Sequence, residues 1–208
     1  MIAIIDYDAG NLTSVSRALT HIGEKNMITN DIGQIEKADR IIFPGVGAAG
    51  SAMESLKRLF LDKAIGNAFI QKKPILGICL GTQIILSYSE ENQTPCLGII
   101  DGIVRGFSAE FAVNDVSGLK IPHMGWNQLR CLTGHPVLHG INDADEFYFV
   151  HSYFPSPKDK CHVMATTDYG IDFPSVIGTK NIIATQFHPE KSGKPGLTIL
   201  KNFCHWEP

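Results

Sequence analysis

The chain opens on a continuous apolar run, 2–5, that is cut off by Asp6. Four apolar residues with no polar alternation predict a strand buried on both faces. A turn over 6–10 follows, and then Leu12, Val15, Leu19 and Ile22 recur at helical spacing, with Asn11 placed as the N-cap and Gly23 as the stop. Residues 27–29 and 40–43 predict two further strands, and a helical stretch carries Met53, Leu56, Leu59 and Phe60. The run 74–78 predicts another buried strand, passing directly into a helical pattern from Leu80 to Leu86. Strands that alternate with helices in this way predict a doubly wound, mostly parallel sheet.

Beyond residue 95 the texture changes. Strand patterns near 98–107, 119–132, 145–154, 161–167, 174–179 and 181–187 are separated by Gly, Pro, Asp and Asn. Added antiparallel strands are expected there, extending or covering the first sheet, before a last helix from Gly196 to about Cys204. There is no internal repeat, no low-complexity tract and no long linker, so 1–208 reads as a single α/β domain.

Composition narrows the function classes. The 208 residues are 44% apolar and 19% charged, with a net charge of −3. That excludes a disordered chain and gives no electrostatic case for binding nucleic acid. Five cysteines (79, 96, 131, 161 and 204) form no CxxC pair, which argues against a disulfide framework or a zinc ribbon and for a reducing compartment. No basic leader precedes the first apolar run, and no apolar run approaches the roughly 20 residues of a membrane span. The expectation is a soluble, cytoplasmic protein with no membrane partner.

One pentapeptide carries chemistry. Gly77-Ile78-Cys79-Leu80-Gly81 joins the strand 74–78 to the next helix with almost no loop, the cysteine counterpart of a G-x-S-x-G nucleophile elbow. Glycines on both sides relieve so sharp a turn, and the helix N-terminus favours thiolate over thiol. The N–H of Leu80 would be free for an oxyanion. The alternative is that Cys79 is simply a small buried residue. The other four cysteines lack such a context and are expected to be structural or incidental.

A thiol needs a base. His188 follows the apolar strand 182–184 in Gln186-Phe187-His188-Pro189-Glu190-Lys191-Ser192, and alternate spacing sets Glu190 beside it to hold the imidazole in one tautomer. An ordinary strand end would show the same pair. His135 and His139 stand four apart, but Pro136 between them makes a turn rather than a zinc-binding helix, so no metal is expected. His21 and His205 are expected on the surface.

Gly45-Val46-Gly47-Ala48-Ala49-Gly50 matches the dinucleotide fingerprint G-x-G-x-x-G, but the stretch 66–74 holds no acidic residue for a ribose. It also follows the third strand rather than the first. A flexible loop offering a backbone N–H to an oxyanion is the preferred reading, with no cofactor expected.

The elbow with Thr82-Gln83, together with His188-Pro189-Glu190, resembles the class I (triad) glutamine amidotransferases. Pro44-Gly45-Val46-Gly47, Pro122-His123-Met124-Gly125-Trp126-Asn127 and Phe147-Tyr148-Phe149-Val150-His151-Ser152-Tyr153 extend the resemblance over almost the whole chain. They narrow it to members that feed ammonia to a separate (β/α)8-barrel synthase subunit in histidine biosynthesis, with paralogues that feed a surface-sugar amidination synthase, or a free-standing cysteine hydrolase, as the alternatives. The resemblance implies that Cys79 attacks the side-chain amide of L-glutamine, with His188 moving the proton and Glu190 orienting it. It implies an oxyanion held by the N–H of Leu80 and of Val46, with a peptide reorientation in the 45–47 loop on partner engagement. It also implies glutamine contacts from Gln83, Gly47 and the Ser152-Tyr153 backbone. Met124, Trp126, Asn127 and Tyr148 are candidates for the partner surface or the ammonia path, with core packing the alternative. Thr82 and Ala48-Ala49 depart from the family's usual residues and leave the lining of the glutamine pocket open.

Overall fold

In the computed structural model, which describes residues 1–8 and 10–208, the first half of the chain winds strand by helix. Strand β1 (Ile2–Ile5) leads through α1 (Leu12–His21) to β2 (Asn26–Thr29), and α2 (Ile32–Lys37) leads on to β3 (Arg40–Gly45). Two helices, α3 (Ala49–Arg58) and α4 (Leu61–Ile70), deliver the chain to β4 (Ile75–Cys79), which runs into α5 (Leu80–Ile84) without a loop. Of the turn expected over 6–10, Ala9 lies outside the described residues. Asn11 stands at the N-cap of α1 without capping it; its Oδ1 accepts the Ser14 hydroxyl at 2.5 Å instead. Gly23, at φ +87, ends that segment.

The predicted helix ends before Leu59 and Phe60. Phe60 sits between α3 and α4 in the left-handed region, at φ 57, with its ring exposed, so it does not continue the face made by Met53 and Leu56. The break lets α4 bury its own stripe of Leu61, Ala64, Ile65 and Ala68. Neither α2 nor α4 has a counterpart in the sequence reading. The six residues of α2 are too few for a period to show, and the Asp31 side chain, accepting the Gln34 N–H at 2.8 Å, fixes their start.

The second half adds β5 (Tyr88–Ser89), β6 (Thr94–Pro95), β7 (Gly102–Gly106), α6 (Phe107–Val113), β8 (His123–Gln128) and β9 (Arg130–Cys131). Then come β10 (Glu146–His151), β11 (Tyr153–Pro157), β12 (Val163–Asp168), β13 (Asp172–Thr179), β14 (Ile182–Thr185) and α7 (Gly193–His205). The main sheet has the order β2-β1-β3-β4-β14-β13-β12-β9. From β2 to β14 its pairings are parallel, and the remaining three are antiparallel. Thus the late strands both extend the first sheet and cover it, through a β10-β8 pair and a β11-β7-β5-β6 sheet. The exception is β14, which makes a hairpin with β13 but lies parallel to β4, completing the parallel half.

Burial on both faces follows from period-two alternation. Ile2, Ile4, Ile42, Leu76 and Ile78 enter one apolar cluster, and Ala3, Ile5, Ile41, Phe43 and Ile75 the other. The folded surface of 9518 Å² is close to the roughly 9,600 Å² that chain mass alone predicts. Among the described residues, no helix is long and apolar enough to cross a membrane.

Two glycines pull in opposite directions under substitution. A Cβ on Gly81 would lie 2.0 Å from the Phe43 carbonyl oxygen of β3, whereas one on Gly66, inside α4, meets nothing within 4 Å. Gly81→Ala is therefore expected to cost at least about 2–3 kcal/mol, since rigid backbone must move. Gly66→Ala should stabilise by about 0.5–1 kcal/mol through helix propensity. Urea denaturation of the two variants checks both signs.

Candidate active site

The carboxyl ends of the central parallel strands are where open α/β sheets bind ligands, and three strand ends meet there. Cys79 ends β4, opposite Gly45 of β3 on one side, while β14 runs alongside on the other and leads to His188. The elbow is real and tight. Cys79 adopts φ 54, ψ −105, a conformation costly for a residue with a Cβ. It is tolerated because its neighbours can close in: a Cβ on Gly77 would lie 2.8 Å from the Ala184 side chain, and Gly81 abuts β3. Thr82, wholly buried, ties α5 to β14 by donating to the Thr185 carbonyl at 2.6 Å. Its side chain is thus turned to the sheet rather than to the cleft, and Ala48 and Ala49 also stay out of the cleft lining.

His188 is delivered by a short turn, residues 189–191, that α7 closes. Gly196 packs so closely on that turn that a Cβ would lie 2.0 Å from the Pro189 carbonyl. Ser192 Oγ donates to the His188 carbonyl at 2.6 Å and accepts the Tyr148 N–H at 3.0 Å. His188 Nδ1 donates to Glu190 Oε1 at 2.8 Å, with both side chains almost fully buried. Burial alone would pull the His188 pKa down. Contact with Cys79, then the bond to Glu190, then the charges of both, lift it to about 10. His188 Nε2 itself has no hydrogen-bond partner. The ring is charged at neutral pH. Because the folded pKa lies above the usual 6.5, this pairing stabilises fully below about pH 6.5 and is lost as pH rises through about 10.

The cavity above Cys79 measures about 400 Å³ and is lined by Val46, Gly47, Leu80, Gln83, Ser152 and Tyr153, all singled out from the sequence. Gly47 takes φ +97 with nothing within 4 Å of a would-be Cβ, so the loop 46–48 is free on that side. Gln83 Nε2 donates to the Tyr153 carbonyl at 3.0 Å and to Gln186 Oε1 at 3.1 Å, and Gln186 Nε2 reaches Cys79 Sγ at 3.7 Å.

Pro122, Val150 and His151 also line the cavity, and like Glu91, Gln186 and Tyr7 they were not singled out from the sequence. Glu91 lines the cavity, accepting the Ala49 N–H at 2.7 Å at the N-terminus of α3. Gln186 carries a signal in the sequence, its place two residues before His188. Tyr7 is fully buried, and its hydroxyl occupies the space a Gly45 side chain would need, 1.8 Å from that Cβ position, without a hydrogen-bond partner. Burial, then the charge of Cys79, pushes its pKa far up.

Two of the other cysteines are held as thiols by burial, whereas Cys161 is exposed. Burial drives the Cys96 thiol up to about 11 and the Cys204 thiol up to about 12. His21 and His205 are exposed, and His135 Nδ1 accepts the Val137 N–H in a single turn at 136–138. Among the described residues, no three His, Cys, Asp or Glu side chains gather as metal ligands. Met124 and Trp126 are exposed, at 61% and 54%, which excludes core packing for both.

A family model described as glutamine amidotransferase class-I matches residues 3–206. The chain belongs to the class I glutamine amidotransferases. It is 51% identical over 206 residues to the imidazole glycerol phosphate synthase subunit HisH of Desulfovibrio desulfuricans, covering 99% of this chain and 94% of that one. It is 47% identical to the subunit of the same name from Dehalococcoides mccartyi, covering 98% and 96%. A solved structure of PurLQS from Thermotoga maritima shares the fold, with a TM-score of 0.75 at 16% identity over 98% of this chain and 97% of that one.

In this amidotransferase, Glu190→Gln keeps the shape of the His188 partner and removes its charge. The His188 pKa should fall from about 10 toward its ordinary value, so that the ring loses its proton at lower pH. Imidazole resonances followed by NMR across pH 6–10 report this directly; an unshifted titration would contradict the electrostatic assignment.

Proposed function

We propose that the chain is the glutaminase subunit of imidazole glycerol phosphate synthase, acting in histidine biosynthesis in the cytoplasm with a (β/α)8-barrel subunit as its partner. The close likeness to HisH subunits over nearly full length supports the activity. The single structural observation that carries the mechanism is the strained Cys79 lining the cavity, with the buried His188–Glu190 pair in contact with it.

The Cys79 thiolate attacks the γ-carbonyl carbon of L-glutamine. A carbon–sulfur bond forms and the carbonyl pair moves to oxygen, where the N–H groups of Leu80 and Val46 receive it. His188, holding Nδ1–H on Glu190, gives its Nε2 proton to the amide nitrogen. The carbon–nitrogen bond breaks, ammonia leaves, and a γ-glutamyl thioester remains on Cys79. Neutral His188 then takes a proton from water, whose oxygen attacks the thioester, and glutamate departs with the thiolate restored. Glu91, the carboxylate among the lining residues, is placed to meet the substrate's α-ammonium, and the Ser152-Tyr153 backbone with Gly47 and Gln83 holds the rest.

Ammonia must reach an acceptor without meeting bulk water. Trp126 meets Tyr148 edge-on at 5.9 Å, and Tyr148 lies 6.5 Å from His188, so an aromatic line runs from the nucleophile's base to the exposed strand β8. Met124 and Trp126, with exposed Ile121 beside them, form the apolar face offered to the barrel subunit, which the resemblance implies acts on a phosphoribosyl-formimino-carboxamide ribonucleotide.

Cys79→Ala in the assembled complex should abolish glutamine-dependent synthesis, by at least about 10³-fold, while ammonia-dependent synthesis stays within about twofold of native. Glu190→Gln should cost less than His188→Ala, since it orients rather than transfers a proton. Loss of both activities with the complex intact would refute the division of labour. Rapid glutamine hydrolysis by the chain alone, unchanged by the barrel, would point instead to a free-standing hydrolase.

A further inference from the structure

Two histidines in the sequence blocks 122–127 and 147–153 have no part in the mechanism above. His123 begins β8 and His151 ends β10, paired across the strands. Both are buried in an aromatic shell, with His123 stacked on Tyr169 at 4.0 Å and His151 against Phe107 at 5.3 Å. His123 Nδ1 lies 3.0 Å from His151 Nε2, and His151 Nδ1 lies 2.8 Å from the Tyr153 carbonyl oxygen.

The partners decide where the protons sit. A carbonyl only accepts, so His151 carries its hydrogen on Nδ1, and in a neutral ring its Nε2 must accept. His123 therefore donates from Nδ1 and accepts at Nε2, where Asn127 Nδ2 stands at 3.4 Å. The Asn127 amide is oriented independently: its Oδ1 accepts the Gln128 N–H and its Nδ2 donates to the Asp168 carbonyl, both at 2.8 Å. The assignment is thus the same from either end. No carboxylate bonds to either ring among the described residues; Tyr169 stacks on one, and the charge of His188 acts on the other. Burial pulls the two pKa values down to about 4 and about 3, keeping both rings neutral.

The Tyr153 carbonyl also accepts from Gln83 Nε2, whose other hydrogen goes to Gln186 Oε1. That leaves the Gln186 amide nitrogen, and only that end, facing Cys79 Sγ. We propose that His123 and His151 are positioning residues: a neutral imidazole pair, each protonated on Nδ1, that clamps the Tyr153 carbonyl and through Gln83 and Gln186 aims an N–H at the Cys79 sulfur. A donor at that place favours the thiolate. The proposal rests on the reading of Cys79 as the nucleophile.

Packing and clamping predict opposite rankings for two variants. His123→Phe keeps the ring volume and stacking but strips His151 Nε2 of its donor, leaving a buried acceptor that drives the ring to shift. His123→Asn loses packing but keeps a donor near the old Nδ1. The test is iodoacetamide alkylation of Cys79 in the full chain, followed by peptide mass spectrometry, with exposed Cys161 as the internal reference. His123→Phe should slow Cys79 about 5- to 10-fold against Cys161, the worth of one hydrogen bond, and His123→Asn should stay within about twofold of native. The reverse ranking, or equal rates, overturns the clamp.

A second readout needs no variant: imidazole ¹⁵N NMR of the native chain should show both rings as the Nδ1–H form from pH 5.5 to 8. An Nε2–H form on either ring, or titration in that range, also overturns it. Neither readout involves glutamine, so the clamp can fail while the glutaminase reading stands, and the reverse.

Discussion

The whole site hangs on the backbone of Cys79, held at φ 54, ψ −105 between a central strand and a helix. An L-residue there stores on the order of 1–3 kcal/mol of strain, and it persists only where surrounding structure over-determines it. Three approaches supply that determination. Gly77 sits against Ala184 of β14, Gly81 sits against the Phe43 carbonyl of β3, and Thr82 is bonded to β14 through Thr185. Each needs a particular small or polar residue, and each couples the nucleophile to the two strands that carry the rest of the chemistry. The strand β3 brings the Val46 loop, and β14 brings His188.

Charge is then distributed by burial rather than by proximity alone. Contact with Cys79 and the bond to the buried Glu190 carboxylate together raise the His188 pKa in a place where burial favours the neutral ring. His123 and His151, the latter within reach of the charge of His188, meet burial with no carboxylate and are held toward the neutral form. On the proposed mechanism the same side chain serves as a proton carrier in one setting and as a directional hydrogen-bond linker in the other. The difference lies in the contacts of His188 with Cys79 and Glu190, which the other two rings lack.

Much of this was legible in the sequence, for definable reasons. Unalternating runs such as 2–5 and 74–78 can only be strands buried on both faces, and an elbow with glycines at 77 and 81 has few other uses. His188 and Glu190 were legible because strand spacing puts alternate residues side by side. What escaped was set by tertiary contact. The break at Phe60 separates the predicted helix from α4, a matter of one left-handed residue that no pattern marks. The parallel pairing of β14 with β4 depends on how a late hairpin docks. Tyr7 became part of the site only because Gly45 leaves room for its hydroxyl, and Glu91 only because a short turn carries it to α3. The direction of the His123–His151 pair needed distances, since neither motif reveals its tautomer.

The central claim is that the elbow makes Cys79, alone among five cysteines, a nucleophile toward glutamine. The most direct measurement is labelling by a glutamine analogue bearing an electrophilic carbon at the side-chain carbonyl position, followed by peptide mapping. The account predicts a single adduct, on the peptide containing Cys79, blocked by excess glutamine. An unlabelled Cys79, or equal labelling of Cys161 and Cys96, would contradict it.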